Sequence, residues 1–232
     1  MSERNIQFEQ IANVYDDSLP PHVVEHYLVK RVHFLTMQWG PQPARALDVG
    51  AGTGALAARL QAQGWQVVGV DQAKAMLSLM VNRGNPAAQA SGVHLPFPDN
   101  AFDVAYCVAV LHHVAEPAAV RSTVREMLRV VRPGGMAVYW DHNPFNPYWP
   151  IIMARVPQDT GEERLIPEKE IRAALTGLPS RVTSCQSGFV GDFVPPALLK
   201  AFQVLERIVE VIPGMRRVLC AHNVVVARKL KA

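Results

Sequence analysis

The chain has 232 residues, 49% hydrophobic and 19% charged, with a formal net charge of +3 and a pI near 8.9. That composition suits a packed core and excludes both a disordered chain and a strongly basic nucleic-acid binder. Three well-separated cysteines, Cys107, Cys185 and Cys220, make neither a disulfide framework nor a zinc spacing, as expected of a reducing cytoplasm. The polar start, Met1-Ser2-Glu3-Arg4-Asn5, does not look like a signal peptide, and the longest apolar run, Val104 to Leu111, is too short to span a bilayer.

In chain order, helices are predicted over Ile6–Tyr15 and His22–Met37, separated by Leu19-Pro20-Pro21, and Gly40-Pro41-Gln42-Pro43 links them to the first strand. Strands predicted at 44–49, 66–70, 87–90, 102–108 and 135–141 alternate with helices at 54–63, 73–83 and 117–131. Such alternation implies a doubly wound α/β fold, a mostly parallel sheet covered on both faces. Arg132-Pro133-Gly134-Gly135 reads as a turn that stops the long helix. Beyond Asp141 the nine residues His142 to Pro150 hold three prolines and three aromatics, which predicts an ordered loop. A helix is expected over Pro167–Thr176 and strands over Arg181–Phe189 and His222–Arg228. Between those strands lies a long excursion, 190–221, with a helix opened by Pro195-Pro196 in which Leu198, Phe202, Leu205, Val209 and Ile212 recur at helical spacing.

The densest signal is Leu47-Asp48-Val49-Gly50-Ala51-Gly52-Thr53-Gly54. It joins an apolar strand to a helix through a loop nearly free of side chains, which lets a ligand lie against the backbone at the carboxyl end of the strand. The next strand ends in Asp71, an acid able to accept both hydroxyls of a ribose. Together they imply a nucleoside-containing cofactor. The spacing Gly50-x-Gly52-x-x-Ala55 also satisfies the looser dinucleotide pattern, so an NAD(P)-dependent oxidoreductase is the rival enzyme. Three features tilt the choice away from it. Asp48 sits where dinucleotide fingerprints are apolar and would repel a pyrophosphate; Gly54 comes one position early; and Leu95-Pro96-Phe97, Leu111-His112-His113 and Arg132-Pro133-Gly134-Gly135 stand downstream.

From about Ala44 to Asp141 this series resembles the class I S-adenosylmethionine-dependent methyltransferases of small-molecule type, with weaker similarity over Phe8–Tyr15. The resemblance implies a Rossmann-like, seven-stranded sheet with its last strand antiparallel, an N-terminal helical lid and an insertion before the last strand. It implies a single domain over 1–232: a lid at 1–40, a cofactor-binding core at 41–141 and acceptor-side elements at 142–232. It also implies that Asp48, Gly50, Gly52 and Gly54, with Ala51 between them, surround the methionine end of S-adenosyl-L-methionine. Asp71 would hold the ribose, and Gln72 and Met76 would border the adenine. Relatives carry Gly-Asp-Ala where this chain has Ala90-Ser91-Gly92, so here Ser91 is the uncharged acceptor for the adenine and Gly92 offers a backbone N–H. Tyr15 is the lid residue expected to touch cofactor or acceptor. Cys107 is carried among the cofactor-binding candidates, although its place inside a buried strand also reads as core.

Methyl transfer to a hydroxyl needs positioning, exclusion of water and a base. Candidates stand at the ends of strands four and five: His112, His113 and Asp141, with one histidine taking the proton and Asp141 orienting it or binding the acceptor. No metal is expected, because no spaced ligand set occurs. The aromatic and aliphatic residues Phe145, Tyr148, Trp149, Ile151, Ile152 and Met153 suggest an apolar acceptor pocket walled by the 142–157 loop and the 190–215 helix. The basic chain end, seven cations against three acids from Ser187 onward, together with the amphipathic helix, raises a lipid-like or polyketide-like acceptor and contact with a membrane surface or partner. Core packing of that helix is the simpler reading. The resulting expectation is a cytoplasmic methyltransferase acting on a hydroxyl of a small apolar metabolite, with no nucleic-acid partner, no integral membrane segment and its oligomeric state open. A non-catalytic S-adenosylmethionine-binding subunit is the non-enzyme rival.

Overall fold

The computed structural model describes residues 3–156, 158–159 and 161–231, with no side-chain description for residues 3–6. Met1 and Ser2 of the polar start, Pro157 of the acceptor-side loop and Ala232 lie outside the described residues.

Two helices come first, α1 (Glu3–Ile11) and α2 (Pro21–Trp39), with a 3-10 segment, Ala12–Asp17, between them. An alternating run comes next: β1 (Arg45–Val49), α3 (Ala55–Gln61), β2 (Gln66–Asp71), α4 (Lys74–Asn82), β3 (Ala87–Gln89), β4 (Phe102–Val108), α5 (Leu111–Val114), α6 (Pro117–Val130) and β5 (Val131–His142). The last part holds α7 (Trp149–Met153), α8 (Glu168–Leu175), β6 (Ser180–Ser187), α9 (Leu199–Val211), α10 (Pro213–Leu219) and β7 (His222–Lys229). These strands form a seven-stranded sheet in the order β3-β2-β1-β4-β5-β7-β6. β1 to β5 pair in parallel, and β7 runs antiparallel between β5 and β6. Strand order reverses between β1 and β4, and such a switch point opens a crevice at the carboxyl ends of both strands.

Apolar residues on both sheet faces explain the two layers of helices. One buried cluster joins Leu47, Ala105, Cys107 and Tyr139 to α6 and α8; the other joins Ala46, Tyr106, Val138 and Trp140 to α2 and α3. Cys107 is wholly buried in the first cluster, which corrects its candidacy as a cofactor contact: its side chain points into the α6 layer.

Three further expectations change. Arg132 to Gly135 are not a turn, because β5 begins at Val131, which pairs with Phe102 before the register jumps to Val104↔Met136. The extra residues form a bulge, pinned by Arg132 Nε donating to Asp103 Oδ1 at 2.5 Å. The proline-rich stretch after β5 contains α7, and α10 extends the excursion. The excursion helix is only half core-packed: Val209 is buried and Phe202 packs inward, but Leu198, Leu205 and Ile212 are 49%, 39% and 41% exposed.

The N-terminal helices are tied down over the switch point. Glu9 accepts from the backbone N–H groups of Lys74 and Ala75 at 2.5 and 2.8 Å, capping α4. Thr53 Oγ1 donates to Asp16 Oδ1 at 2.7 Å, and Arg83 bridges Asp16 and the Thr53 carbonyl.

Candidate active site

Two adjoining cavities open at the switch point. The larger, about 570 Å³, runs beneath α1 along the ends of β1, β2 and β4 and is lined by Gly50, Gly52, Asp71, Gln72, Met76, Ser91 and Gly92. The smaller, about 220 Å³, lies deeper under α2 and is lined by Asp48, Ala51, Arg31 and His112, among others. Tyr15, Gly50, Gly52, Ala109 and His113 border both.

The three glycines of the loop stand in different surroundings. A Cβ on Gly52 would meet nothing within 4 Å, so that position faces open cavity. A Cβ on Gly50, at φ +71°, would stand 2.4 Å from a Val110 methyl. Gly54 lines neither cavity: it is packed against Met80 and serves the α3–α4 contact.

Asp71 organises the loop. Its Oδ2 accepts the Gly52 N–H and its Oδ1 the Ala73 N–H, both at 2.9 Å, so the carboxylate is held at the cavity edge. Asp48 sits deeper, 4% exposed, and burial pushes its carboxyl up to about 7, with Asp71 adding to the rise and the Tyr106 hydroxyl and Arg31 opposing it. Arg31 is not among the residues that the sequence singles out. It reaches into the smaller cavity from α2, its guanidinium 5.3 Å from the Tyr27 ring centroid, and its buried Nε has no hydrogen-bond partner among the described residues. A sequence signal exists all the same: a cation on the face of α2 shared with Tyr27, Leu28 and Leu35.

Asp141, at the end of β5, lines neither cavity but stands behind His112. Its Oδ1 lies 2.7 Å from His112 Nδ1 and accepts the His142 N–H at 2.7 Å, while its Oδ2 accepts the Leu111 N–H at 2.6 Å. Ala109, in the left-handed region at φ +57°, turns the chain from β4 into α5 and brings His112 over this carboxylate. The His112 ring lies between neighbours, with centroids 4.0 Å from both a tilted His113 and a stacked His142, and His142 stacks in turn on Trp149 at 3.5 Å. Trp149 is fixed by its Nε1–H donating to the Ala221 carbonyl at 2.6 Å.

Burial alone would lower the His112 pKa, but the adjacent Asp141 carboxylate outweighs it and holds the imidazole above its ordinary 6.5. Burial would likewise raise Asp141, yet His112 and the backbone N–H donors keep it below its ordinary value and ionised. The neighbours go the other way: burial, then His112, push His113 down to about 4, and burial pushes His142 well down. One histidine of the group is therefore basic and the rest stay neutral. Asp159, which sequence reasoning also misses, faces His112 Nε2 and His113 Nε2 at 3.9 and 4.0 Å, and burial pushes its carboxyl up to about 6. The ligand atoms of His112, His113 and Asp159 lie within 4.8 Å of one another, a spacing that one cation could share.

Residues 47–139 match a family model described as a methyltransferase domain. A demethylmenaquinone methyltransferase from Corynebacterium kroppenstedtii is 40% identical over 96 residues, 41% of each chain. A 2-phytyl-1,4-naphtoquinone methyltransferase from Synechococcus elongatus is 33% identical over 157 residues, 60% of this chain and 64% of that one. The chain thus aligns with under two thirds of the length of these curated relatives. Among solved structures, a SAM-dependent methyltransferase from Thermotoga maritima superposes with a TM-score of 0.69 at 16% identity, covering 96% of this chain and 98% of that one. YcgJ from Bacillus subtilis gives 0.61 at 21% identity, over 89% of this chain and all of that one. At such identities these structures speak for the fold alone, and a [4+2]-cyclase, SpnF, shares it with a TM-score of 0.57. Residues 47–139 are thus similar to a methyltransferase domain, and the chain as a whole has the fold that these solved methyltransferases share.

Proposed function

We propose that the chain, taken over 1–232 as one methyltransferase unit working in the cytoplasm, moves a methyl group from S-adenosyl-L-methionine to a hydroxyl of a small apolar acceptor of quinone or hydroquinone type. The observation that carries this reading is the buried Asp141–His112 pair, 2.7 Å apart, with His112 in the wall of the smaller cavity and Asp141 behind it. The matching methyltransferase segment, and the demethylmenaquinone and 2-phytyl-1,4-naphtoquinone named for two of the relatives, support the acceptor class.

The residues present fit the cofactor. The open position at Gly52, the partnerless Nε of Arg31 and the carboxylates of Asp48 and Asp71 give, in sequence along the two cavities, space, a cation, and acceptors for an ammonium and a ribose. Arg31 would hold the carboxylate of the methionine end, Asp48 its ammonium, Asp71 the ribose hydroxyls, and Gln72, Met76, Ser91 and Gly92 the adenine. The chemistry that the cofactor supplies when bound is an electrophilic methyl on a sulfonium. His112 donates Nδ1–H to ionised Asp141, which leaves Nε2 as the basic nitrogen for the acceptor's proton. Asp141 then stabilises the imidazolium, and the His113–His112–His142–Trp149 stack keeps the ring in place. Tyr15 and Phe8 close the cavities against water from the lid side, Phe8 standing edge-on to His113 at 5.1 Å.

The test combines two measurements. S-adenosylhomocysteine should raise the melting temperature and NADH should not. Methyl transfer to a panel of hydroxylated naphthalenes should then depend on His112. A melting shift with NADH would move the chain to the oxidoreductase reading, and tight S-adenosylhomocysteine binding with no transfer to any acceptor would leave a cofactor-binding subunit.

A further inference from the structure

The outward face of α9 and α10 is unusual in what it presents. α9 spans 13 residues, about 20 Å at the helical rise. On its inner side Val209 is fully buried and Phe202 packs against Val23, Val190 and Val194. Its outer side carries Val204, Ile208 and Val211 at 57%, 48% and 72% exposed, and α10 continues the stripe with Val218 at 44%. Within α9 three to four residues separate successive members, so they form one stripe along the helix.

The charges on this segment are sorted. Both of its acids turn inward: Glu206 is 3% exposed, and Glu206 and Glu210 each accept from Lys30 of α2 at 2.5 Å. The exposed charged residues between Pro195 and Ala221 are all cations: Lys200, Arg207 and Arg217. Lys200 and Arg207 lie along one edge of the apolar stripe by helical spacing. Arg217 stacks over the exposed ring of Phe145 at 5.1 Å.

A third cavity of about 240 Å³, almost wholly apolar, is lined by Phe193 and by Leu219 of α10, together with Leu19, Tyr27, Trp149 and Ile152. The last four also line the smaller cavity that holds His112. Phe193, at the outer end, is 56% exposed.

We propose that the α9–α10 face seats the protein on an anionic lipid bilayer. Val204, Ile208, Val211 and Val218 enter the boundary between headgroups and acyl chains, while Lys200, Arg207 and Arg217 meet the anionic headgroups. An exposed apolar stripe edged only by cations is complementary to such a surface. It is not complementary to itself: two such faces docked together would bury the cations of both, with no exposed acid on the segment to neutralise them. The surface is outside the two cavities assigned to chemistry, so the inference stands apart from the methyl-transfer reading. If that reading holds too, the third cavity gives an apolar acceptor tail a path from the bilayer to His112.

The experiment is co-sedimentation of the full chain with vesicles of phosphatidylcholine alone and of phosphatidylcholine mixed with phosphatidylglycerol. Partitioning onto the mixed vesicles is expected to be about tenfold or more stronger, and to fall with added salt. The double variant Ile208→Asp, Val211→Asp should lose roughly tenfold or more of that partitioning while its melting shift with S-adenosylhomocysteine stays that of the parent. The pair Arg207→Glu, Arg217→Glu should lose the preference for the anionic vesicles. Three results would overturn the proposal: no partitioning of the parent chain, unchanged partitioning of the Ile208/Val211 variant, or a dimer in solution that this variant dissociates, which would give the face to a second copy.

Discussion

The Asp141 carboxylate grips His112 from the side away from the cavity, its Oδ1 at 2.7 Å from Nδ1 and its other oxygen on the Leu111 N–H, so that one carboxylate holds both the ring and the start of α5. A His–Asp pair of this geometry fixes both tautomer and orientation. His112→Asn and Asp141→Asn should each lower kcat by roughly 10²–10⁴-fold while leaving the S-adenosylhomocysteine melting shift nearly intact. His113→Asn, which removes a ring that Asp141 does not hold, should cost far less. Turnover with a hydroxylated naphthalene measures all three, and near-parental rates in the first two would remove the base.

The same pair sets a pH dependence. In the proposed reaction neutral His112 is the base, and Asp141 holds its pKa above 6.5. The rate should therefore climb with pH through a value above 6.5 and then level off. Asp141→Asn takes away the charge that raises His112, so the residual activity of that variant should rise at a lower pH. A profile of kcat/KM for both proteins tests the direction of the displacement.

Arg31 has a guanidinium in the smaller cavity and a buried Nε with no partner. A charge-assisted hydrogen bond to a carboxylate is worth about 1.5–3 kcal/mol, so Arg31→Met should weaken S-adenosylhomocysteine binding by roughly tenfold to a hundredfold. A decarboxylated analogue of the ligand should bind parent and variant alike. Calorimetric titration with the two ligands separates loss of this one contact from general damage to the cavity.

Asp48, in its proposed place beside the ligand's ammonium, would link ligand affinity to pH. Burial sets its carboxyl at about 7 in the absence of a bound cation. An ammonium group beside it favours the ionised form, so S-adenosylhomocysteine should bind more tightly as pH rises through 7, with proton release on the acid side. Asp48→Asn should bind more weakly at pH 8 and flatten this dependence. Isothermal titration in buffers of different ionisation enthalpy counts the protons directly.

What was legible in the sequence is local. The strand–glycine–helix unit at Gly50 and the acid at the end of β2 announce themselves because turn chemistry and strand periodicity act within a few residues. The β5 bulge was not legible, because Pro133-Gly134-Gly135 looks like any turn until Val131 finds Phe102 across the sheet. Arg31 and Asp159 escaped for a related reason. One lies on a helix before the sheet and the other in a loop after β5, and only the fold brings them to the cavity of His112. Cys107 failed in the opposite sense: its position in the chain, beside the site, was right, but the alternation of the strand turns its side chain into the α6 layer. Leu205 and Ile212 show the limit of periodicity, which finds an apolar face but not whether protein covers it.

Glu206 joins the excursion to the N-terminal helix α2. Its carboxylate takes Lys30 Nζ at 2.5 Å, lies 3.0 Å from His26 Nε2, and accepts the N–H groups of Phe189 and Val190 at 2.5 and 3.1 Å. Those two backbone groups belong to the wall of the third cavity, so one buried side chain ties α2, α9 and that wall together. Burial would raise its pKa, but His26, Lys30 and the backbone donors outweigh it and bring it from 4.5 down to about 2. The folded state thus favours the ionised form, and this contribution to stability is complete above pH 4.5, fades as pH falls toward 2 and is absent below that. Glu206→Ala leaves two N–H groups and part of a cation without a partner, which should cost about 3 kcal/mol and lower the melting temperature by roughly 6–12 °C at neutral pH. The gap between parent and variant should narrow in acid, because the parent loses the same interaction there. Thermal melts from about pH 7 to 3 would show this narrowing, and a gap that stays constant would mean that the loss comes from packing rather than from the charge.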